Sequence, residues 1–250
     1  MKSKLATGIL TVWLAYSPNI WAETLDELTR RAEQGDAKAQ TDLGARFAEG
    51  NGVPKDFHLA EKWFKSAAEL GNPLAEYNLG LMYAHGEGVR HNPKEASKWF
   101  LKSAERGDVQ AQFTLGLMYA DGDGVTRHYE QAAKWFRLAA DHGHPIAQLN
   151  LGLMYIRGEG VSKSAEEAVK WFKMSAEQGD AAAQYHLGLC YYDGAGVTKD
   201  VEEAYVWLSL ASAQRNLHAH EELNKVEQEL TAKQITEAQR RAAEWLPVLQ

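Results

Sequence analysis

The sequence predicts an all-α solenoid, and three observations carry that prediction. A 36-residue sentence is written five times in succession, beginning at Ala39, Ala75, Ala111, Ala147 and Ala183. Of 21 glycines only Gly8 falls outside the repeated columns, which are Gly44 to Gly188, the pairs Gly50/Gly52 to Gly194/Gly196, and Gly35 to Gly179. Trp63, Trp99, Trp135, Trp171 and Trp207 form a further column at the same period. Self-similarity at a period of about 20 to 50 residues marks an array whose units bury their apolar faces only against neighbours. Residues spaced this way answer to architecture rather than to a catalytic motif.

Residues 1–22 read as a secretory signal. Lys2 and Lys4 supply a basic start, Leu5 to Tyr16 is a mostly apolar run, and Ile20-Trp21-Ala22 ends on a small residue suited to cleavage. The run is too short for a membrane span, so an uncleaved anchor is the alternative and no stable insertion is expected after cleavage. No Cys stands at the cleavage point, which argues against a lipoprotein. The mature chain then carries 25 basic against 34 acidic residues, a net of −9. That balance, with both signs interspersed, argues against a phosphate backbone as the main partner, because such binding relies on clustered Lys and Arg. The length suits one array rather than two globular domains.

Each copy contains two helices. In the first, Ala75, Leu79, Met82 and Tyr83 recur at i, i+4, i+7 and i+8, one face of a helix. Gly80 lies inside that helix, where Gly costs up to about 1 kcal/mol relative to Ala; repeated five times, the cost predicts a backbone approaching closely there. Gly86-Glu87-Gly88-Val89 then breaks the helix. Asp56, Asn92, Ser164 and Asp200 share the N-cap column of the second helix, and Glu95, Glu167 and Glu203 stand at capping-box spacing. His128 is the weak member of that column, although Gln131 follows it. Pro93 suits the first helical position. Ala96, Trp99, Phe100 and Ser103 or Ala104 form the apolar face, Gly107 closes the helix, and Asp108 caps the next one.

Both ends depart from the pattern. Residues 25–35 match the tail of a second helix, an N-terminal half-repeat. At the other end the closing column reads Arg215 instead of Gly. Leu223, Val226 and Leu230 then give one stripe, and Thr231 with Gln234 opens a last helix carrying Ile235, Ala238, Ala242 and Trp245 on one side, ended by Pro247. The predicted organisation is a signal over 1–22, a half-repeat over 23–38, repeats over 39–74, 75–110, 111–146, 147–182 and 183–217, and capping helices over 218–250.

At Leu79-Gly80, Tyr83, Gly86-x-Gly88-Val89, Ala96, Trp99-Phe100 and Ala104 the pattern resembles the Sel1-like repeat family, relatives of the tetratricopeptide repeats, over residues 25 to about 215. The resemblance implies a right-handed α/α superhelical solenoid of helix-turn-helix repeats with a concave inner surface, and a role in holding other proteins.

Chemistry-bearing motifs are absent: there is no Gly-x-Ser-x-Gly, His-Glu-x-x-His, phosphate loop or Ser-x-x-Lys. The Gly-x-Gly units follow a helix rather than a strand, which defeats a dinucleotide reading. Nine histidines, including His142/His144 and His218/His220, lack clustered Cys or acidic partners and read as solvated or capping side chains, not zinc ligands. No catalytic residue, metal or cofactor is therefore expected. Cys190 is the only cysteine and occupies the slot of Met82, Met118 and Met154, so it reads as a buried thiol.

The binding candidates lie on the first helices. Tyr77, Phe113, Leu149 and Tyr185 form one column, with Leu81, Leu117, Leu153 and Leu189 four places later, a stripe about 160° from Leu79. The first helix is thus apolar on two sides; the second stripe either packs between layers or lines the inner surface, where the resemblance places the Tyr77 column. Asn78, Thr114, Asn150 and His186 are its polar neighbours. The expected function is a periplasmic or secreted scaffold that grips a segment of another protein, from the envelope or a host, through Tyr77, Phe113, Leu149, Tyr185 and, at the edge, Tyr192. The alternative is an envelope-associated hydrolase acting on β-lactams or peptidoglycan, as some cysteine-rich relatives suggest; this chain lacks their paired cysteines. Oligomeric state is not legible.

Overall fold

The computed structural model describes residues 24–245; the expected signal over 1–22 and the stop at Pro247 lie outside them. The described residues form thirteen α-helices and no strand, so the chain is an all-α solenoid in class. Two compact units divide between His128 and Tyr129.

The first unit holds α1 (Leu25–Glu33), α2 (Ala37–Glu49), α3 (Phe57–Glu69), α4 (Pro73–His85), α5 (Pro93–Glu105) and α6 (Val109–Asp121). Each helix from α1 to α5 packs on its successor. Asp36, Asn72 and Asp108 cap α2, α4 and α6 by accepting backbone N–H groups, and Asp56 and Asn92 do so for α3 and α5. The first helices end on left-handed Gly50, Gly86 and Gly122, where the Cβ of any other residue would be strained. The chain then turns back and the Asn92 N–H donates to the Tyr83 carbonyl, 2.8 Å away. Asp56 repeats this bond to Phe47 at 2.9 Å. The expected capping box is therefore only half made. The cap's own N–H is satisfied by the preceding helix, and Glu95 instead pairs with Lys98 at 2.6 Å.

The glycine inside each first helix has a different cause from the one expected. A Cβ at Gly80 would lie 2.5 Å from the Phe100 ring, and at Gly44 2.8 Å from Phe64. A side-chain ring takes most of the space, and at Gly44 the Ala60 carbonyl oxygen follows at 3.3 Å. Close backbone approach occurs at the second turn glycine, where a Cβ on Gly124 would sit 2.5 Å from the Pro93 carbonyl carbon. The start of one second helix thus rests against the following repeat's turn. Gly52 has nothing within 4 Å among the described residues, because no second-helix start precedes it there.

The second unit holds α7 (Tyr129–Asp141), α8 (Pro145–Arg157), α9 (Ala165–Glu177), α10 (Ala181–Asp193), α11 (Val201–Ala213), α12 (Leu217–Glu227) and α13 (Ala232–Trp245). The same devices recur: Gly152 seats Phe172, Gly188 seats Leu208, and Gly160 meets the Tyr129–Glu130 peptide. Ser164 and Asp200 cap α9 and α11, while His144 caps α8 through its imidazole.

The departures at the C-terminal end have a physical role. Thr231 caps α13 with Gln234, as expected. The helix then lies on α11: the Trp207 and Trp245 rings are 5.1 Å apart, Gln239 donates to the Tyr205 hydroxyl at 3.1 Å, and Arg241 pairs with Glu203. The column Lys62, Lys98, Lys134, Lys170 becomes buried Val206 in α11. That switch from cation to apolar residue is where α11 acquires an additional covered face.

Candidate protein-binding face

In the first unit the predicted stripe turns inward at α4. Tyr77 is 0 % exposed, its ring tilted against Phe100 at 5.4 Å, and its hydroxyl is buried with it. Burial pushes that phenol well above its usual range. Leu81 and Asn78 are buried with it. Tyr77 is accordingly a core residue, and its expected place as a surface anchor is corrected: an all-round apolar helix was here a buried one. On α6, Phe113 and Leu117 are half-buried.

In the second unit the stripe reaches the surface. Leu149 and Leu153 on α8 and Tyr185 on α10 are half-buried and pack against one core cluster containing Phe172, Leu187 and Cys190. Tyr185 lies with its ring 5.1 Å from His186 and 6.1 Å from His218. Burial, with Glu222 nearby, raises its hydroxyl's pKa. His186 stacks on Phe172 at 5.3 Å and 19°, and burial, reinforced by the Arg157 charge, lowers its pKa. Tyr192 is tied down within the chain: its hydroxyl donates to Glu229 and the Lys199 ammonium lies 5.0 Å from its ring centre.

Two neighbours were not picked out from sequence. Ile146 is 45 % exposed and stands three and seven residues before Leu149 and Leu153, so it extends their stripe. Its carbonyl accepts the Asn150 side-chain amide at 2.7 Å. His218, read as a solvated or capping side chain, is exposed and is also a ring neighbour of Tyr185. Both positions were findable from helical periodicity and from the 36-residue column that joins His186 to Glu222 and Ile146 to His218.

No group of three or more His, Cys, Asp or Glu among the described residues could hold a metal ion. The Cys190 thiol is buried, and burial with the Asp193 charge pushes its pKa up to about 11, which suppresses the thiolate. No described helix is long and apolar enough to cross a membrane.

Five consecutive segments, residues 37–72, 73–108, 109–144, 145–180 and 181–216, match the family model of the Sel1 repeat. A protective antigen of uropathogenic Escherichia coli, c5321, described as displaying an SLR fold, is 40 % identical with a TM-score of 0.79. The match covers 88 % of this chain and 48 % of the antigen. A Sel1 repeat protein from Oxalobacter formigenes is 31 % identical with a TM-score of 0.74, over 88 % of this chain and 97 % of that one. The secretory immunoglobulin A-binding protein EsiB of E. coli O6:H1 is 39 % identical over 69 residues, 27 % of this chain and 14 % of EsiB. The chain thus spans about half the length of the antigen, and its match to EsiB covers a small part of that protein.

Proposed function

Because the chain belongs to the Sel1 repeat family, we propose that it is an exported scaffold that holds a segment of another protein against its first helices. Sel1 repeats serve as protein-interaction scaffolds. The observation that carries the reading is the partly exposed stripe Ile146, Leu149, Leu153 and Tyr185, bordered by Asn150 and His186. Such a stripe offers desolvation energy at its apolar positions and orientation at its polar ones. Phe113 is the corresponding anchor of the first unit. Export to the periplasm or beyond rests on the signal-like residues 1–22. Secretory immunoglobulin A, bound by EsiB according to its name, is the first host protein to try; an envelope protein is the other class.

The test is the double variant Leu149→Ala/Tyr185→Ala. Recovery of the partner crosslinked in the native cell should fall at least tenfold, since two anchors at about 1 kcal/mol or more each are removed. Undiminished recovery with an intact circular dichroism spectrum contradicts the reading.

A further inference from the structure

We propose that Glu76 and Arg106 form a pairing key that admits α5, and no other second helix of the array, as the partner of α4. Five hairpins of nearly the same sequence present a folding chain with a choice. The apolar columns do not resolve it, because Leu79, Leu115, Leu151 and Leu187 would each accept any of Phe64, Phe100, Phe136 or Phe172.

One column differs. At the fourth position of the first helices stand Gln40, Glu76, Gln112, Gln148 and Gln184. Each Gln donates its amide to the carbonyl eight residues earlier, at 3.0 to 3.2 Å. Its oxygen can also accept from the residue thirty places later: Gln178 donates to Gln148 at 2.8 Å and Gln214 to Gln184 at 2.9 Å. Glu76 has no N–H to give. Its side chain is 2 % exposed, and both carboxylate oxygens accept from Arg106 Nε at 3.1 and 3.2 Å. The Arg106 guanidinium, half exposed, also lies over Gly71 in the turn before α4.

The asymmetry makes this a key rather than a brace. Paired with another second helix, α4 would bring its buried carboxylate to Leu70, His142, Gln178 or Gln214. None is a permanent cation, and an uncompensated buried charge is strongly disfavoured. Arg106 opposite a Gln loses little, since its charge stays in water. The constraint therefore acts through Glu76. A Gln at 76 would make the column's ordinary bonds, so the native state has no need of the charge; setting register is the best-attested use of such a buried polar group.

The mature chain is unfolded in denaturant and refolded as wild type, Glu76→Gln, Glu76→Gln/Arg106→Gln, and that double variant with Gln148→Glu/Gln178→Arg. Equilibrium midpoint, native fraction recovered and refolding phases are read together. Glu76→Gln should keep or raise the midpoint, yet recover a smaller native fraction with an added slow phase. The double variant should match it, and the key moved to residues 148 and 178 should restore recovery. Refolding of Glu76→Gln with wild-type yield and phases overturns the proposal. So does a lowered midpoint with unchanged recovery, which marks an ordinary structural pair.

Discussion

Leu70→Gln should stabilise the protein, although it replaces an apolar residue with a polar one. The Gln40 amide oxygen is buried without a hydrogen-bond partner among the described residues. In the same column of the second unit, Gln178 and Gln214 donate to their acceptors at 2.8 and 2.9 Å. Position 70 is where that donor belongs, and Leu70 is 57 % exposed there. Less than half of its burial is at stake, and the methylenes of Gln keep part of that, so the loss is about 0.5 kcal/mol on a full-burial value of about 1.5 to 3. Satisfying a buried acceptor returns about 1 to 2 kcal/mol. The net is about +0.5 to +1.5 kcal/mol, or roughly 1 to 6 °C in a chain of this size. Thermal and urea unfolding of Leu70→Gln, Gln40→Ala and the double variant isolate the bond. The same gain in the Gln40→Ala background would refute the reasoning, as would a loss of stability in the single variant.

Three further outcomes follow from the packing. His144 caps α8 by accepting the Ala147 N–H at 3.2 Å on Nδ1, a bond its protonated form cannot make. Burial lowers its pKa, so the unfolded chain binds more protons and stability falls as pH drops below about 6.5. His144→Asp should flatten the urea midpoint between pH 7 and 5 relative to wild type; parallel slopes would contradict this. Gly160→Ala puts a Cβ against the Tyr129–Glu130 peptide at φ +67°, whereas Gly52→Ala, at φ +69°, meets nothing within 4 Å among the described residues. The first should cost at least about 3 kcal/mol and the second about 1, by urea unfolding, so equal costs would deny the inter-repeat contact. Trp135→Ala, at a buried position, should lose about 3 to 5 kcal/mol, and an unchanged melting temperature would count against its role in the core.

Most of the fold was legible because its signals are local and repeated. Asp56, Asn92, Ser164 and Asp200 cap helices where their spacing from the turn glycines says they should, and Thr231 with Gln234 opens the last helix. Cys190 is buried in the slot that methionine holds elsewhere. What escaped depends on which neighbour fills a given space. Periodicity marks Gly80 as crowded but cannot say that the Phe100 ring, rather than a backbone, does the crowding. The Glu95 spacing fits a capping box, yet the Tyr83 carbonyl reaches the cap's N–H first. Tyr77 and Tyr185 occupy one column and differ in burial: Tyr77 on α4 is packed against the Phe100 ring inside the core, while Tyr185 on α10 lies half-buried beside His186 and His218. The Lys-to-Val206 change was readable as a newly covered face once α13 was known to lie on it.

The first helices, and not the second helices, are proposed to meet the partner. A photo-crosslinking residue at Leu149 on α8, or at exposed Lys170 on α9, measures this in the native cell. A discrete protein adduct is expected from position 149 and none from 170. Equal adducts from both positions, or an adduct from 170 alone, would contradict it.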